Sequence, residues 1–323
     1  MMDVALRAFP DQFSFIPTIV NGERLERRSG VVVAGMGGSA LAPDLLRLRR
    51  PQQDLLVHRN YGLPDGAPDA WRARWCIASS YSGNTEETVD AMEHAQAAGM
   101  PVAVIAVGGV LLERAKAERM PYIQLPNTGI QPRSALGFSM IALSALLGDT
   151  EVVHELHAVG EQLDPLRAEQ EGRALAGQLQ GKIPLVLSSP RNASIGYNWK
   201  IKFNETGKIP AFANVFPELN HNEMTGFDAI ASTRALTEQF HVLMIRDAAD
   251  HPRIRRRMEV CAELYRERGI PVEMIELDDS SLWKRVFQSL LTADWAAYAI
   301  AMTNGAESEQ VPMVEDFKQR MRQ

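Results

Sequence analysis

The stretch Ser79-Ser80-Tyr81-Ser82-Gly83-Asn84-Thr85-Glu86-Glu87-Thr88 decides the fold of the first part of this 323-residue chain. It follows the apolar run 75–78, which predicts a buried parallel strand, and it precedes a pattern of apolar residues at helical spacing. The stretch is therefore a strand-to-helix turn. Its hydroxyl groups, its glycine and the unpaired N–H groups of the first helical turn predict a seat for a phosphate or another anion. A plain helix cap is the alternative interpretation, since threonine caps helices well.

A second turn of the same kind occurs about forty residues earlier. Val31–Ala34 predicts a strand, Gly35-Met36-Gly37-Gly38-Ser39 a glycine-rich turn, and the residues from Ala40 onward a helix. Both turns would lie at the carboxyl edge of one parallel sheet, where open α/β sheets bind ligands. The spacing is not the Gly-x-Gly-x-x-Gly of dinucleotide-binding folds, and no acidic residue follows at the usual ribose position. We therefore predict a phosphorylated small molecule as the ligand.

Strands and helices alternate along the rest of the chain. In the first half we predict strands at 31–35, 54–58, 75–80, 102–107 and 121–125, with helices at 40–49, 85–98, 110–117 and 135–147. A long helical run over 151–180 follows. In the second half we predict strands at 183–188, 242–245 and 272–277 and helices at 195–204, 254–268 and 282–302. The pattern predicts an α/β protein with two doubly wound parallel-sheet subdomains, one in residues 1–150 and one in 151–323.

Composition excludes several classes of function. With 46% apolar residues and a net charge of −6, the chain is a globular protein without the basic block of a nucleic-acid-binding protein. The arginine cluster at 253–257 lies on a predicted helix and is interpreted as a solvated face, with an anion site as the alternative. The two cysteines, Cys76 and Cys261, resemble small buried hydrophobic residues and have no metal-ligand spacing. Without a signal sequence or a membrane-spanning run, we expect a cytoplasmic protein.

The most polar segment lies in the second half. Asn204-Glu205 is followed by Pro217-Glu218-Leu219-Asn220-His221-Asn222-Glu223, so a carboxylate and a histidine are embedded in amides. Such groups suit proton transfer. A hydrogen-bonded surface loop is the alternative. The His-x-Glu spacing could also suggest a metal, but no third ligand occurs at a usual spacing, and we predict no metal and no cofactor.

Taken in order, these motifs and Pro132-Arg133 resemble the bifunctional phosphoglucose/phosphomannose isomerases of the sugar isomerase (SIS) superfamily. The resemblance covers nearly the whole chain. It implies two SIS subdomains and an aldose–ketose isomerase of glycolysis and gluconeogenesis, which interconverts fructose 6-phosphate with glucose 6-phosphate and mannose 6-phosphate. The Ser-Tyr-Ser-Gly-Asn-Thr element is common to many sugar-phosphate isomerase domains, whereas Glu-Leu-Asn-His-Asn-Glu downstream of Asn-Glu is more specific to this branch.

The resemblance also implies a role for each motif. Glu205 would be the base that moves a proton between C1 and C2 through a cis-enediol, and Arg133 would stabilise the enediolate charge. His221 would open the sugar ring and would enter the site from the partner subunit, which implies a homodimer. Lys318 would assist ring opening. The substrate phosphate would be held by Gly38, Ser39, Ser80, Ser82 and Thr85.

Lys318 lies on a predicted terminal helix with Val314, Phe317 and Met321 on its apolar face. The segment 306–311 before it differs from the family pattern, as does Gln131, where a proline is more usual. Without the resemblance, such a lysine is interpreted as a solvated charge.

Two other functions remain as alternatives. A non-catalytic sugar-phosphate sensor would keep the hydroxyl-rich turns but would not need the acid–base residues. An aminosugar isomerase domain would normally accompany an amidotransferase, and no amino-terminal cysteine nucleophile is present.

Overall fold

The computed structural model describes residues 2–66, 68–278 and 280–321. The chain forms two compact units. Ala8–Leu163 form the first unit, and the second unit contains the remainder, including the N-terminal helix α1 (Met2–Arg7).

The first unit is an α/β unit with a parallel sheet. Its strands are β1 (Gly30–Ala34), β2 (Leu55–His58), β3 (Arg74–Ser79), β4 (Val102–Ala106) and β5 (Tyr122–Gln124). Its helices are α2 (Leu41–Arg49), α3 (Pro68–Arg72), α4 (Glu86–Ala97), α5 (Gly109–Ala117), α6 (Leu136–Leu147) and α7 (Thr150–Val159). The predicted strands and helices of this half are confirmed with small shifts at their ends.

The sheet of the first unit has the strand order β2-β1-β3-β4-β5, and every neighbouring pair is parallel. All residues of β1 and β4 are buried, because helices cover both faces. From β1 the chain continues to β2 at one edge of the sheet, and from β3 it continues to β4 and β5 toward the other edge. The carboxyl ends of β1 and β3 therefore lie side by side at the point where the strand order reverses, which we call the switch point. Sheets of this kind bind ligands there.

The second unit repeats this plan with fewer strands. Its strands are β6 (Ile183–Ser188), β7 (Phe212–Val215), β8 (Phe240–Arg246) and β9 (Val272–Glu276), in the order β7-β6-β8-β9 and all parallel. Its remaining helices are α8 (Pro165–Gln178), α9 (Ala193–Glu205), α10 (Arg234–Thr237), α11 (Pro252–Glu267), α12 (Leu282–Thr303) and α13 (Pro312–Met321). Two parallel-sheet α/β subdomains are thus confirmed.

The expected continuous helix over 151–180 is wrong. Helix α7 ends at Val159, a 3-10 turn covers Gly160–Gln162, and α8 begins at Pro165. Proline has no N–H to give to a preceding turn, and it disfavours the helical conformation in the residue before it. Asp164 then caps α8 by accepting a hydrogen bond from the Arg167 N–H at 2.9 Å.

Strand β7 was not predicted from the sequence. It is a short edge strand in which Phe212 and Ala213 are exposed, so it has neither an apolar run nor an alternating pattern. Its pairing with β6, in which Leu185 lies opposite Phe212, determines that it is a strand.

The two cysteines are buried, as predicted. Burial raises the pKa of Cys76 to about 12 and that of Cys261 to about 11, so both thiols are protonated at neutral pH. In the described ranges, no helix combines the length and apolar character needed to cross a membrane.

Candidate active site

A cluster of hydroxyl groups lies in the turn between β3 and α4. The Ser80 hydroxyl is 2.8 Å from that of Thr85 and 3.5 Å from that of Ser82. Thr85 is the N-cap residue of α4, yet its side chain accepts no hydrogen bond from the first turn of that helix. Three hydroxyls and the positive end of a helix therefore face the same place, which suits an anion.

Gly83 gives this turn its shape. Its backbone has φ of +73°, which is in the left-handed region, and a Cβ there would lie 1.8 Å from the Gly108 carbonyl oxygen. The Gly83 carbonyl accepts the Leu111 N–H at 3.0 Å, and the Asn84 side chain accepts the Val110 N–H at 3.0 Å. The turn after β3 is thus bound to the start of α5, so its hydroxyls are held in place.

The glycine-rich turn after β1 joins the same cluster. The Ser39 hydroxyl accepts the Tyr81 N–H at 2.9 Å, which links the two turns across the switch point of the sheet. Gly38 lies against the segment that contains Arg133, because a Cβ on Gly38 would be 2.7 Å from the backbone nitrogen of Arg133. Arg133 itself is only 2% exposed. The structure therefore brings together all the first-unit residues that the resemblance implied, namely Gly38, Ser39, Ser80, Ser82, Thr85 and Arg133.

Gln12 holds the segment that carries Arg133, a role that sequence reasoning missed. The buried Gln12 side chain donates to the Ser134 carbonyl at 2.6 Å and accepts the Gly137 N–H at 3.0 Å. A short 3-10 turn over Pro132–Ser134 is thereby fixed to the start of α6. The contact joins residues more than 120 positions apart, and no local pattern in the sequence indicates it.

The corresponding edge of the second sheet is closed by side chains. The Asn192 amide, in the loop after β6, donates to the Ser189 hydroxyl at 3.2 Å and to the Asp250 carboxylate at 3.1 Å. Asp247 and Asp250 are buried there. Asp247 also pairs with Arg285 at 3.5 Å and with Arg191 at 3.9 Å, so the polar side chains at this edge bond to one another.

Glu205 is the last residue of α9 and is half-buried. Asn204 holds the chain that follows Glu205, because its side-chain amide donates to the Ile209 carbonyl at 3.1 Å and to the Ala211 carbonyl at 3.4 Å. The Lys208 ammonium donates to the Glu205 backbone carbonyl at 2.7 Å. Asn204 thus fixes the backbone on which the Glu205 carboxylate is carried.

Lys208 also connects this turn to the C-terminal helix. Its ammonium donates to the carbonyl of Gln310, which lies just before α13. On α13, Lys318 is exposed and pairs with Glu315 at 2.7 Å within the helix. The expected helix is present, but its apolar face is not covered: Val314 is 46%, Phe317 61% and Met321 54% exposed.

His221 ends a 3-10 turn, Glu218–His221, and its side chain is exposed. Two residues anchor the turn. Leu219 is fully buried, and the Asn220 amide oxygen accepts a hydrogen bond from Arg257 at 3.2 Å. Glu223 accepts from the Asn214 amide at 2.8 Å. These contacts hold the segment while leaving the imidazole directed to solvent.

Arg257 belongs to the arginine cluster at 253–257, which lies on α11 as predicted. Arg253 and Arg256 on this helix are exposed, as expected of a solvated face, whereas Arg255 and Arg257 are half-buried. Across the described part of the chain, no group of three or more His, Cys, Asp or Glu side chains is placed to hold a metal ion.

Comparison with known proteins identifies the family. The chain is 32% identical over 299 residues to the bifunctional phosphoglucose/phosphomannose isomerase of Aquifex aeolicus, with 91% of this chain and 90% of the relative covered. It is 33% identical over 308 residues to the enzyme of that name from Caldicellulosiruptor bescii, with 90% and 89% covered. This chain belongs to the bifunctional phosphoglucose/phosphomannose isomerase family.

Two further comparisons agree with this family and its fold. Residues 168–321 match the family model described as the bacterial phospho-glucose isomerase C-terminal SIS domain. A solved hypothetical protein from Thermus thermophilus matches with a TM-score of 0.69 at 18% identity, covering 99% of this chain and 88% of the other. At this identity the structural match shows the fold, and the family rests on the sequence relatives.

Proposed function

We propose that this chain interconverts fructose 6-phosphate with glucose 6-phosphate and mannose 6-phosphate by moving a proton between C1 and C2. The observation that carries the proposal is the seat formed by Ser39, Ser80, Ser82 and Thr85 at the switch point of the first sheet. Such a seat suits a phosphate monoester. The names of the relatives, bifunctional phosphoglucose/phosphomannose isomerases, indicate which sugar phosphates to test first.

In the proposed mechanism the phosphate is held by these hydroxyls and by the N–H groups at the start of α4. Glu205 removes the proton from C2 of the open-chain aldose and returns it to C1 of the enediol, on the same face of the sugar, while the hydroxyl proton on the C2 oxygen passes to the C1 oxygen. One carboxylate suffices for both steps, and no metal or cofactor is needed for the transfer. The carboxyl group returns to its ionised form at the end of each turnover.

Arg133 stabilises the negative charge that develops on the enediolate oxygens. A guanidinium that is already buried loses little hydration when the substrate binds, so its charge acts in a medium of low dielectric. The contact of its backbone with Gly38 and the hydrogen bonds of Gln12 to its segment support a fixed position for this residue.

His221 and Lys318 open the sugar ring by proton transfer to the ring oxygen and from the anomeric hydroxyl. Both side chains are exposed. Their exposure supports a site that is completed by a second copy of the chain, with His221 entering the partner's site in a homodimer. We place the enzyme in the carbohydrate metabolism of the cytoplasm, where its phosphorylated substrates are retained.

The test is isomerisation of fructose 6-phosphate by the purified protein, with glucose 6-phosphate and mannose 6-phosphate both quantified and a parallel sample containing a chelator. We expect both aldoses, at rates that the chelator does not change. Formation of glucose 6-phosphate alone would contradict the dual activity. If the sugar phosphate binds and neither aldose forms, the chain is a sugar-phosphate sensor and the proposal is wrong.

A further inference from the structure

Helices α9 and α12 of the second unit are joined by a buried ion pair. The Lys202 ammonium donates to the Asp294 carboxylate at 2.6 Å, and the two side chains are only 3% and 4% exposed. Trp199 and Phe203, the neighbours of Lys202 on α9, are fully buried aromatic residues. Moving two charges from water into such surroundings consumes most of the energy of their attraction, so the net contribution of the pair to stability is small. What the pair does is fix the position of α9 relative to α12.

The pair is located in the last turn of α9. Lys202 precedes Glu205 by three residues, so the two lie on neighbouring positions of the helix surface. The Lys202 carbonyl also accepts the N–H groups of Thr206 at 2.9 Å and Gly207 at 3.1 Å, which close the helix. Any rotation or shift of Lys202 is therefore transmitted to the backbone of Glu205.

A second contact between the same helices lies one turn earlier. The Trp199 indole N–H donates to the Ser289 hydroxyl at 3.0 Å. Two directional bonds at successive turns determine the rotation of α9 about its axis, which one bond or an apolar contact alone would leave less defined. Of the two, the Lys202–Asp294 bond is nearer to Glu205.

We propose that Lys202 and Asp294 are positioning residues for the Glu205 carboxylate. The inference rests on the proposed role of Glu205 as the proton-transferring base. The ion pair determines the direction in which the end of α9 presents Glu205, while Asn204 and Lys208 hold the chain that follows. A displacement of a catalytic group by about 1 Å can lower a rate by about 100-fold.

The main test is the double variant Lys202→Met with Asp294→Leu. Removing both charges leaves no unpaired ion in the core, so the variant is expected to fold. We expect kcat to fall by about 10-fold or more and KM for fructose 6-phosphate to stay within about twofold of the wild-type value. Unchanged kcat in a folded variant would overturn the inference.

A second variant covers the case in which the double variant does not fold. Asp294→Glu keeps both charges but extends the carboxylate by one methylene, which displaces Lys202. A positioning role predicts a lower kcat at an unchanged KM in a variant that still unfolds in one cooperative transition, even if its thermal midpoint falls. If Asp294→Glu has wild-type kcat, the inference is wrong.

Thr292→Val is the matched control on the same helix. The Thr292 hydroxyl bonds to Glu171 at 3.2 Å and to the Gln288 carbonyl at 3.2 Å, and neither partner lies on α9. We expect this variant to keep the wild-type kcat even if its thermal midpoint falls. An equal loss of kcat in Thr292→Val would mean that any disturbance of α12 has the same effect, and it would overturn the specific role of the ion pair.

Amide hydrogen exchange over residues 202–208 separates this inference from the proposed function. The wild-type isomerase activity is measured first, and its absence would contradict the proposed function alone. The exchange experiment does not depend on activity. Faster exchange over 202–208 in the double variant or in Asp294→Glu, but not in Thr292→Val, would support the positioning of this turn. Unchanged exchange would overturn it.

Discussion

The Ser80 hydroxyl and the Thr85 hydroxyl lie 2.8 Å apart, so one hydrogen bond spans the turn from β3 to α4. Ser80 follows the last residue of β3, and Thr85 is the N-cap of α4. The Thr85 side chain does not cap its own helix, so its hydroxyl takes none of the first-turn N–H groups, although the Thr88 N–H bonds to the Thr85 carbonyl at 3.1 Å. The Thr85 hydroxyl therefore bonds to Ser80 in the proposed anion site instead of capping its own helix.

Thr85→Val should weaken substrate binding. Valine has the same shape but no hydroxyl, and a hydrogen bond to a charged group contributes about 1.5–3 kcal/mol, so we expect KM for fructose 6-phosphate to rise by about 10- to 100-fold. Steady-state kinetics measure this. Thr88→Val is the control, because Thr88 is buried one turn further along the same helix. Equal effects of the two substitutions would rule out a direct role of the Thr85 hydroxyl.

Gly83→Ala should disrupt the seat. Alanine is strained at φ of +73°, and its methyl group would collide with the Gly108 carbonyl, so we expect a rise in KM together with lower stability. The control is Gly99→Ala, since Gly99 has φ of +70° with nothing within 4 Å of the added Cβ. That change carries only the left-handed backbone cost of about 1–2 kcal/mol. If both variants have the same KM and unfolding free energy, the close approach to Gly108 is unimportant.

Glu205→Gln should abolish turnover while preserving binding. The amide has the shape of the carboxylate but cannot accept the proton, and loss of a positioned base lowers kcat by about 10²–10⁴-fold. Calorimetric titration with a sugar-alcohol 6-phosphate should give the wild-type affinity. Turnover at the wild-type rate would exclude Glu205 as the base.

Mixing two inactive variants should restore activity if the site is shared between subunits. In a heterodimer of Glu205→Gln and His221→Ala, one site combines Glu205 of one chain with His221 of the other, and the second site lacks both. We expect up to half of the wild-type activity per heterodimer after co-refolding. Absence of recovery, with heterodimers verified by mass, would count against His221 crossing to the partner.

Asp149→Asn should destabilise the first unit in a pH-dependent way. Arg50 hydrogen-bonds the Asp149 carboxylate at 2.7 and 3.0 Å, and this bond is the main reason that the pKa of Asp149 lies below its usual range. The stabilisation is complete above the unfolded-state pKa of about 4 and is lost as pH falls through the lower folded-state pKa. Asparagine still caps α7, so the variant removes the charge only.

Urea unfolding at several pH values measures this effect. The difference in unfolding free energy between wild type and Asp149→Asn should be largest near pH 7 and should shrink as pH falls below about 4. Arg50→Met should show the same pH trend. A difference that is constant with pH would mean that the ion pair does not contribute.

The local features of the first unit could be predicted from the sequence because they depend on neighbouring residues. The apolar runs before Gly35 and Ser80 indicate buried parallel strands, and the hydroxyl-rich turns follow them directly. The predicted helix over 151–180 was wrong because the apolar pattern continues across Pro165, which ends the run by its own backbone chemistry. The strand β7 was missed because an exposed edge strand carries no pattern of its own.

The sequence by itself determined the class of the fold, the two hydroxyl-rich turns, the burial of both cysteines and the family resemblance. Only the tertiary structure decided that Ser39 bonds to Tyr81, that Gln12 holds the segment of Arg133, and that the second sheet's edge is closed by Asn192. It also decided that Lys202, three residues before Glu205, pairs with Asp294. The reason is physical: strand and turn preferences act over a few residues, whereas these contacts join residues up to about 120 positions apart, which meet only when the sheets and helices have packed.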